Sequence, residues 1–316
     1  MMRKWMDRAL LVLGWGAVIA AVAGIVLHIG DWQQRSLVLL ASGAMWLMLG
    51  AVIGVVLLLL ARGWRSAGVG AAVLVGVGAL VLPSYIPEAR AADGPEVVVL
   101  QSNILFGKAD PRAVVSTVRD NAVDVLTVDE LTFDAITALR AAGLEEQLPH
   151  VYLEAAHAGG GGTGIYSRYP LRETKKFDGF VMSNLGATME HPRRGPIAVF
   201  AFHPMPPNLD FAAWSNEMRR VDEILAATTT PAIVGADFNA TQNHSAFRAL
   251  LDGPFASAAD QTGDGILLTY PADRRWGPVI GIDYVLVAGG VAEDVRTLTL
   301  PGTDHRAVLA TLRMDR

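Results

Sequence analysis

The chain has 316 residues, 52% of them hydrophobic, and a mean hydropathy of +0.34, which is too apolar for one ordinary soluble domain. It carries a net charge of −5 and no cysteine, so thiolate catalysis, disulfide scaffolds and cysteine-based zinc sites are excluded. A cysteine-free chain also agrees with an exported domain, where stray thiols would pair wrongly.

The apolar excess lies in the first quarter, in three runs at about 9–28, 36–61 and 66–83. The first two reach or exceed the ~20 residues a helix needs to cross a bilayer, and the third is slightly shorter but free of charge. They predict a membrane anchor of three transmembrane helices over 1–83. The basic start of Arg3, Lys4 and Arg8 leaves a cleavable signal peptide open for the first run, although two further runs would remain. Flanking cations divide five to two, with Arg3, Lys4, Arg8, Arg62 and Arg65 on one side and Arg35 and Arg90 on the other. That asymmetry predicts a cytoplasmic N-terminus, and three crossings put the remainder outside the cytoplasmic membrane. Glycines such as Gly14, Gly50 and Gly54 allow close helix packing, or simply reflect an Ala- and Gly-rich composition.

Residues 84–95, SYIPEARAADGP, read as a linker, and 96–316 as the active domain. From residue 94 onward 19 Lys and Arg face 27 Asp and Glu, a balance ill suited to nucleic acid. Strands and helices alternate through this domain. VVVLQSN (97–103) is a buried strand, and the Asp110-Pro111 pair opens a helix. VDVLTVDE (123–130) is the next strand, followed by a helix from Phe133 that stops at Gly143. The glycines at 159–162 form a loop before the strand that ends in SRYPL (167–171). Antiparallel strands follow to IAVFAFH (197–203), then an amphipathic helix over 208–227. GADFNAT (235–241), a short helix near 245–251, GIDYVLV (281–287) and a closing strand over 308–314 complete the chain.

Polar residues cluster at the ends of these runs. Asp237 and Asn239 are two apart, a spacing that faces both to one side of an extended chain or merely makes an Asx turn. Asn103 and Glu130 are oxygen donors suited to a hard divalent cation. Asp129, the neighbour of Glu130, should face the other way and is secondary. Asp304 and His305 should point apart, and Asp283 can hold the His305 imidazole in one tautomer. His203 stands before a Pro-rich turn that would fix it. His157 and His244 read as exposed loop residues.

In order, Asn103, Glu130, SRYPL, His203, GADFNAT, IDYVLV and TDH resemble the metal-dependent endonuclease/exonuclease/phosphatase superfamily, the deoxyribonuclease-I-like fold, over roughly residues 95–316. The resemblance implies a four-layer αββα sandwich, α/β (α+β) in class, and hydrolysis of a phosphoric ester or pyrophosphate with Mg²⁺ or Mn²⁺, Zn²⁺ being a third option. It implies Glu130 as the main metal carboxylate, with Asn103 and Asp304 completing the shell, and Leu105 stands where relatives often place a further acid, so one ion or two stays open. Asp237 would position or deprotonate water, and Asn239, His203 and the Asp283-held His305 would donate to the phosphoryl group. Arg168 supports the fold in this family more often than it touches substrate, and it is carried as a binding candidate. With its anchor the chain also resembles VanJ-type teicoplanin-resistance proteins, which implies a role in undecaprenyl pyrophosphate recycling or envelope antibiotic resistance. The expected partners are therefore a phosphorylated lipid and the membrane rather than nucleic acid. An extracytoplasmic nuclease of the same fold and a non-catalytic binding module are the other two classes.

Overall fold

The computed structural model describes residues 2–316. It divides into two compact units, one holding the residues up to Pro83 with Gln242–Ser245, the other Ser84–Thr241 with Ala246–Arg316.

The first unit is helical: α1 (Met2–Ile29), α2 (Arg35–Ala41), α3 (Ala44–Met48), α4 (Gly50–Leu60) and α5 (Trp64–Val81). Two helices, Met2–Ile29 and Trp64–Tyr85, are long and apolar enough to cross a membrane. The single span expected over 36–61 is broken, because α2 and the 44–60 stretch meet at 58°. The break falls on Ser42-Gly43, where the Ser42 hydroxyl donates back to the Val38 carbonyl at 3.5 Å, and such Gly/Ser pairs are a recurrent cause of sharp kinks. The first unit therefore offers two candidate spans, or three if the bent pair is one span. Its glycines do pack. A Cβ on Gly50 would lie 2.3 Å from the Ala17 carbonyl oxygen, and one on Gly54 2.6 Å from Val18 Cγ2, so α4 approaches α1 along a small-residue seam.

The second unit contains β1 (Glu96–Asn103), α6 (Pro111–Asp120), β2 (Val125–Asp129), α7 (Phe133–Ala141), α8 (Leu144–Gln147), β3 (His150–Glu154), β4 (Thr163–Ser167), β5 (Leu171–Lys176), β6 (Leu185–His191) and β7 (Gly195–Phe202). It continues with α9 (Phe211–Ala226), β8 (Ala232–Asp237), α10 (Ser245–Ala249), β9 (Ala256–Ser257), α11 (Ala258–Thr262), β10 (Asp283–Ala288), β11 (Gly290–Thr299) and β12 (Arg306–Met314). Two six-stranded mixed sheets form, in the orders β11-β12-β1-β2-β4-β3 and β5-β6-β7-β8-β10-β9.

Strand periodicity builds the layers. On β1, Val97 and Val99 join the core between the sheets, whereas Val98 and Leu100 join a second core with Val118 of α6, Leu139 of α7 and Leu144 of α8. α9 lies on the other sheet, burying Trp214, Met218 and Val221, and the Trp214 indole donates to the Phe238 carbonyl at 3.3 Å. Helices therefore cover both outer faces, as expected of a four-layer sandwich. Residues 84–95 are fastened rather than free: the Glu88 amide donates to the Gln261 carbonyl at 2.9 Å, and the Gly94 amide to that of Met314 at 2.9 Å.

Candidate active site

Four strands bring carboxylates or amides to one place. Asn103 and Asp129 sit opposite each other where β1 and β2 end, and Asp237 and Asp283 where β8 ends and β10 begins. Along the inward faces the residues turn from apolar to polar toward this end: Val97, Val99, Gln101 and Asn103 on β1, Val125, Thr127 and Asp129 on β2, Ile233, Gly235 and Asp237 on β8. Gly235 is needed for the fit. A Cβ there would lie 2.1 Å from Thr127 Oγ1, so glycine lets the sheets close directly beneath the polar groups.

Asn103 links the two halves. Its Nδ2 donates to Asp237 Oδ2 at 3.0 Å and to Glu130 Oε1 at 3.2 Å, while its Oδ1 accepts from the Leu105 amide at 3.0 Å. Glu130 stands one residue past β2 with φ 60°, a left-handed conformation that ends the strand alternation and costs a non-glycine residue energy. Its Oε2 accepts the Phe106 amide at 2.8 Å, and Phe106 is itself at φ 53°. His305 Nδ1 is 2.9 Å from Asp283 Oδ2 and 3.7 Å from Asp237 Oδ2, and its Nε2 is 3.9 Å from Asp304 Oδ1. His203 Nε2 approaches Asp237 Oδ2 at 3.8 Å, and its Nδ1 is buried without a partner.

A buried layer supports these groups. Gln101 Nε2 donates to Asp129 Oδ2 at 3.1 Å and to Asp283 Oδ1 at 3.2 Å, and Asp129 Oδ2 also accepts the Asp237 amide at 3.1 Å. Asn184 Oδ1 accepts the His203 amide at 2.8 Å. Thr303 Oγ1 donates to the Asn103 carbonyl at 2.9 Å and accepts the His305 amide at 3.2 Å.

Electrostatics follow from the crowding. Burial, and after it the Asp283 carboxylate, push Asp237 up to about 6 against the pull of His305 and His203. Burial by itself would lower His305, but Asp283, Asp237 and Asp304 outweigh it and hold the imidazole up to about 10. Burial raises Asp129 well above the usual carboxylate range, and it raises Glu130 despite the Asn103 and Phe106 hydrogen bonds. His203 is lowered by burial.

The donor set fits a divalent cation. Asp129, Glu130, Asp237 and Asp283 converge on one place with the His305 imidazole among them, and crowded carboxylates are hard oxygen donors suited to a divalent cation. Asp237, Asp283 and His305 have potential ligand atoms within 4.8 Å of one another. Within that trio the His305 Nδ1 is already engaged by Asp283 Oδ2 at 2.9 Å, as in an ion-paired hydrogen-bond cluster. Glu130 offers carboxylate oxygens and Asp304, a fifth exposed, lies within reach of His305, whereas Asn103 turns its Nδ2 to Glu130 and gives its Oδ1 to the Leu105 amide.

Most residues singled out from the sequence meet here: Asn103, Glu130, His203, Asp237, Asp283, Asp304 and His305 form one network, with Asn239 at its edge. Four details differ from expectation. Arg168 is not brought to the site: Ser167 pairs with Val125 and Asp129 with Thr163, so Arg168 lies beyond the far end of β2, roughly 16 Å away by strand rise. There its guanidinium pairs with Asp124 at 2.9 Å and donates to the Val123 carbonyl at 2.8 Å, a structural role. Asn239 does not share a strand face with Asp237, because β8 stops at Asp237 and Asn239 turns to φ 49° with its amide on Asp237 Oδ1 at 2.9 Å. Its side-chain amide donates to the Pro204 carbonyl at 3.1 Å. Asp304 and His305 approach rather than diverge, since the turn before β12 suspends strand alternation. His157 is exposed, but His244 is buried. Gln101, Asn184 and Thr303 were the supports missed, while Asp129, read as secondary, is a buried support; of the missed ones Gln101 carried a signal, the same two-residue offset from Asn103 that joins inward-facing neighbours.

Comparison with known proteins gives the same picture. The model of the Endonuclease/Exonuclease/phosphatase family matches residues 100–305. Similar solved structures include a humanized D. rerio TDP2 (TM-score 0.57, 15% identity, 69% of this chain and 99% of that one). An endonuclease/exonuclease/phosphatase from Beutenbergia cavernae DSM 12333 has TM-score 0.53 and 16% identity over 70% of this chain and 72% of that one. The mannosyl-6-phosphatase Bt3783 of Bacteroides thetaiotaomicron VPI-5482 has TM-score 0.51 and 14% identity over 68% and 99%. At such identities the likeness is one of fold. No curated protein matches the chain.

Proposed function

The chain belongs to the endonuclease/exonuclease/phosphatase family, whose members are hydrolases of phosphoesters that use divalent metals, and from that premise we propose a membrane-anchored phosphoesterase acting on a lipid phosphate or pyrophosphate. The observation that carries the chemistry is the joining of Glu130, Asn103, Asp237, Asp283 and His305 in one buried network at the strand ends. A divalent cation, Mg²⁺ or Mn²⁺ by the hardness of the donors, would be held by Glu130 with Asn103 and Asp304 and would neutralise phosphoryl oxygens and the leaving group.

The residues supply the rest. Asp237, buried and brought to about 6, is a carboxylate matched to accepting a proton from an attacking water near neutrality. His305 keeps its proton through the Asp283 bond at Nδ1, which leaves Nε2–H to donate to a phosphoryl oxygen as charge develops. His203, fixed by Asn184 through its backbone, stands on the other side of Asp237 as a second donor, and the free N–H of the Asn239 amide is a third.

The lipid substrate is supported by the apolar helices, which an enzyme of soluble esters does not need, and by a domain with more acids than bases, which disfavours nucleic acid. Undecaprenyl pyrophosphate outside the cytoplasmic membrane is the specific substrate proposed, with a role in envelope maintenance or glycopeptide resistance. The test is phosphate release from undecaprenyl pyrophosphate by the full-length protein in mixed micelles. Release is expected with Mg²⁺ or Mn²⁺, lost with chelator and in Asp237→Ala. Glu130→Ala should weaken metal binding, whereas Asp237→Ala should keep it; equal loss in both would reassign the roles. Clear hydrolysis of DNA without lipid turnover would favour the nuclease, and no hydrolysis at all a binding module.

A further inference from the structure

The exposed apolar side chains of the second unit are not scattered. Past the linker, and among the described residues, the large hydrophobics that are well exposed are Phe106 (44%), Phe133 (49%), Val181 (62%), Leu209 (70%), Trp276 (66%) and, on edge strand β3, Val151. The first five all lie at the strand ends that carry the site. Phe106 follows β1, Phe133 follows β2, Val181 lies between β5 and β6, Leu209 follows β7 and Trp276 precedes β10. Surface hydrophobics scattered singly need no explanation, but a set gathered at one end of a domain does.

Short connections tie this rim to the reacting groups. The Phe106 amide is bonded to Glu130, and a Cβ on Gly160 would lie 3.3 Å from both the Phe106 ring and the Glu130 carboxylate. The buried Glu217 carboxylate accepts the Val181 and Met205 amides at 2.7 Å each, joining the Val181 loop to the turn after His203. The Tyr270 ring lies 4.9 Å from that of His305, and the Ala272 amide donates to the Asp304 carbonyl at 2.6 Å, which holds the turn bearing Trp276 beside the site.

We infer that this rim receives the apolar chain of the substrate, so that the enzyme selects phosphate esters carrying a long hydrocarbon. The inference rests on the phosphoesterase reading above and adds which part of the molecule discriminates among substrates. Continuity with the phosphoryl site favours a ligand that is charged at one end and apolar along its length. Phe106, Phe133 and Trp276 carry rings on which a base could also stack, but Val181 and Leu209 offer none, and exposed Asp134 and Asp210 follow Phe133 and Leu209 directly, which favours a hydrocarbon over a polyanion there. A hydrocarbon chain needs only apolar surface.

Full-length protein in detergent micelles, with Mn²⁺, is given two probes with the same pyrophosphate head, farnesyl pyrophosphate and isopentenyl pyrophosphate. We expect kcat/KM at least tenfold higher for the farnesyl ester. The double variant Leu209→Ser/Trp276→Ser should lose most of that preference yet keep the isopentenyl rate within twofold, which also shows that it is folded. Equal rates for the two esters in the unmodified protein, or an unchanged preference in the variant, would overturn the rim while leaving the phosphoesterase reading intact. Cleavage of single-stranded DNA that falls in the variant would make the rim a base-stacking surface instead. Should neither ester nor DNA be cleaved, the phosphoesterase reading fails, and the rim is decided by binding. Leu209→Cys introduces the chain's sole thiol, and an environment-sensitive dye on it should shift to the blue with farnesyl but not isopentenyl pyrophosphate; no shift rejects the rim.

Discussion

Asp283 accepts a hydrogen bond from His305 Nδ1 at 2.9 Å, and with Asp237 and Asp304 it holds the buried imidazole charged. His305 has an ordinary value of 6.5 and a folded value of about 10, so its protonation favours the folded state. That contribution is complete below pH 6.5 and is lost as pH rises through about 10. Asp237, raised from 3.8 to about 6, acts in the same direction but over the lower window. In metal-free protein the melting temperature should therefore decline between pH 6.5 and 10, and Asp283→Asn should flatten that decline and lower turnover by about 10²-fold or more. An unchanged slope would mean His305 is not held by Asp283. Asn184→Ala should cost about 1–3 kcal/mol by leaving the buried His203 amide unpaired, read by denaturant unfolding, with a fall in kcat. The direct participants were legible because each sits beside an apolar run. Asn184 and Thr303 were not, since their partners, 19 and 200 residues away, become neighbours only once β6 pairs with β7 and β12 with β1.

At the scale of elements, strand periodicity explained both cores but failed one residue past each strand. Asp129 is the last residue of β2 and Glu130 turns left-handed, so the pair are not opposite faces of one strand: one is the buried support and the other swings to the mouth. The same happens after β8 at Asn239. Such turns depend on what the next segment packs against, which no period reveals. Inside the strands the pattern is reliable enough to test. Gly235→Ala places a methyl 2.1 Å from Thr127 Oγ1 and should destabilise by about 1–3 kcal/mol in denaturant unfolding. Thr127→Ala in the same chain should recover part of that loss. If Gly235→Ala is neutral, the sheets are not in close contact there. In the anchor, composition predicted the apolar stretches but not the bend at Ser42-Gly43, because a hydropathy average does not register a local kink.

For the whole molecule, the cation asymmetry of five to two leads to a test of orientation. Protease added to intact spheroplasts should remove the second unit, and protection until lysis would reverse the proposed topology. The helices at hand allow two crossings or three, and only an odd number places the two ends on opposite sides, so the outcome also decides whether the bent pair counts as a span.

The gap between the sheets has a further consequence. Val99, Ile233 and Val287 fill it below, Gly235 against Thr127 closes its floor, and the polar groups line only its upper end. With a substrate whose tail rests on the rim, the tail would lie over the freed phosphate as a stopper in the neck of a bottle. Unloading would then be ordered, tail before phosphate, and slower than bond cleavage. Mixing enzyme with excess lipid ester should give a rapid burst of product equal to the enzyme present, followed by a slower steady rate, whereas a short ester that leaves the neck open should show none.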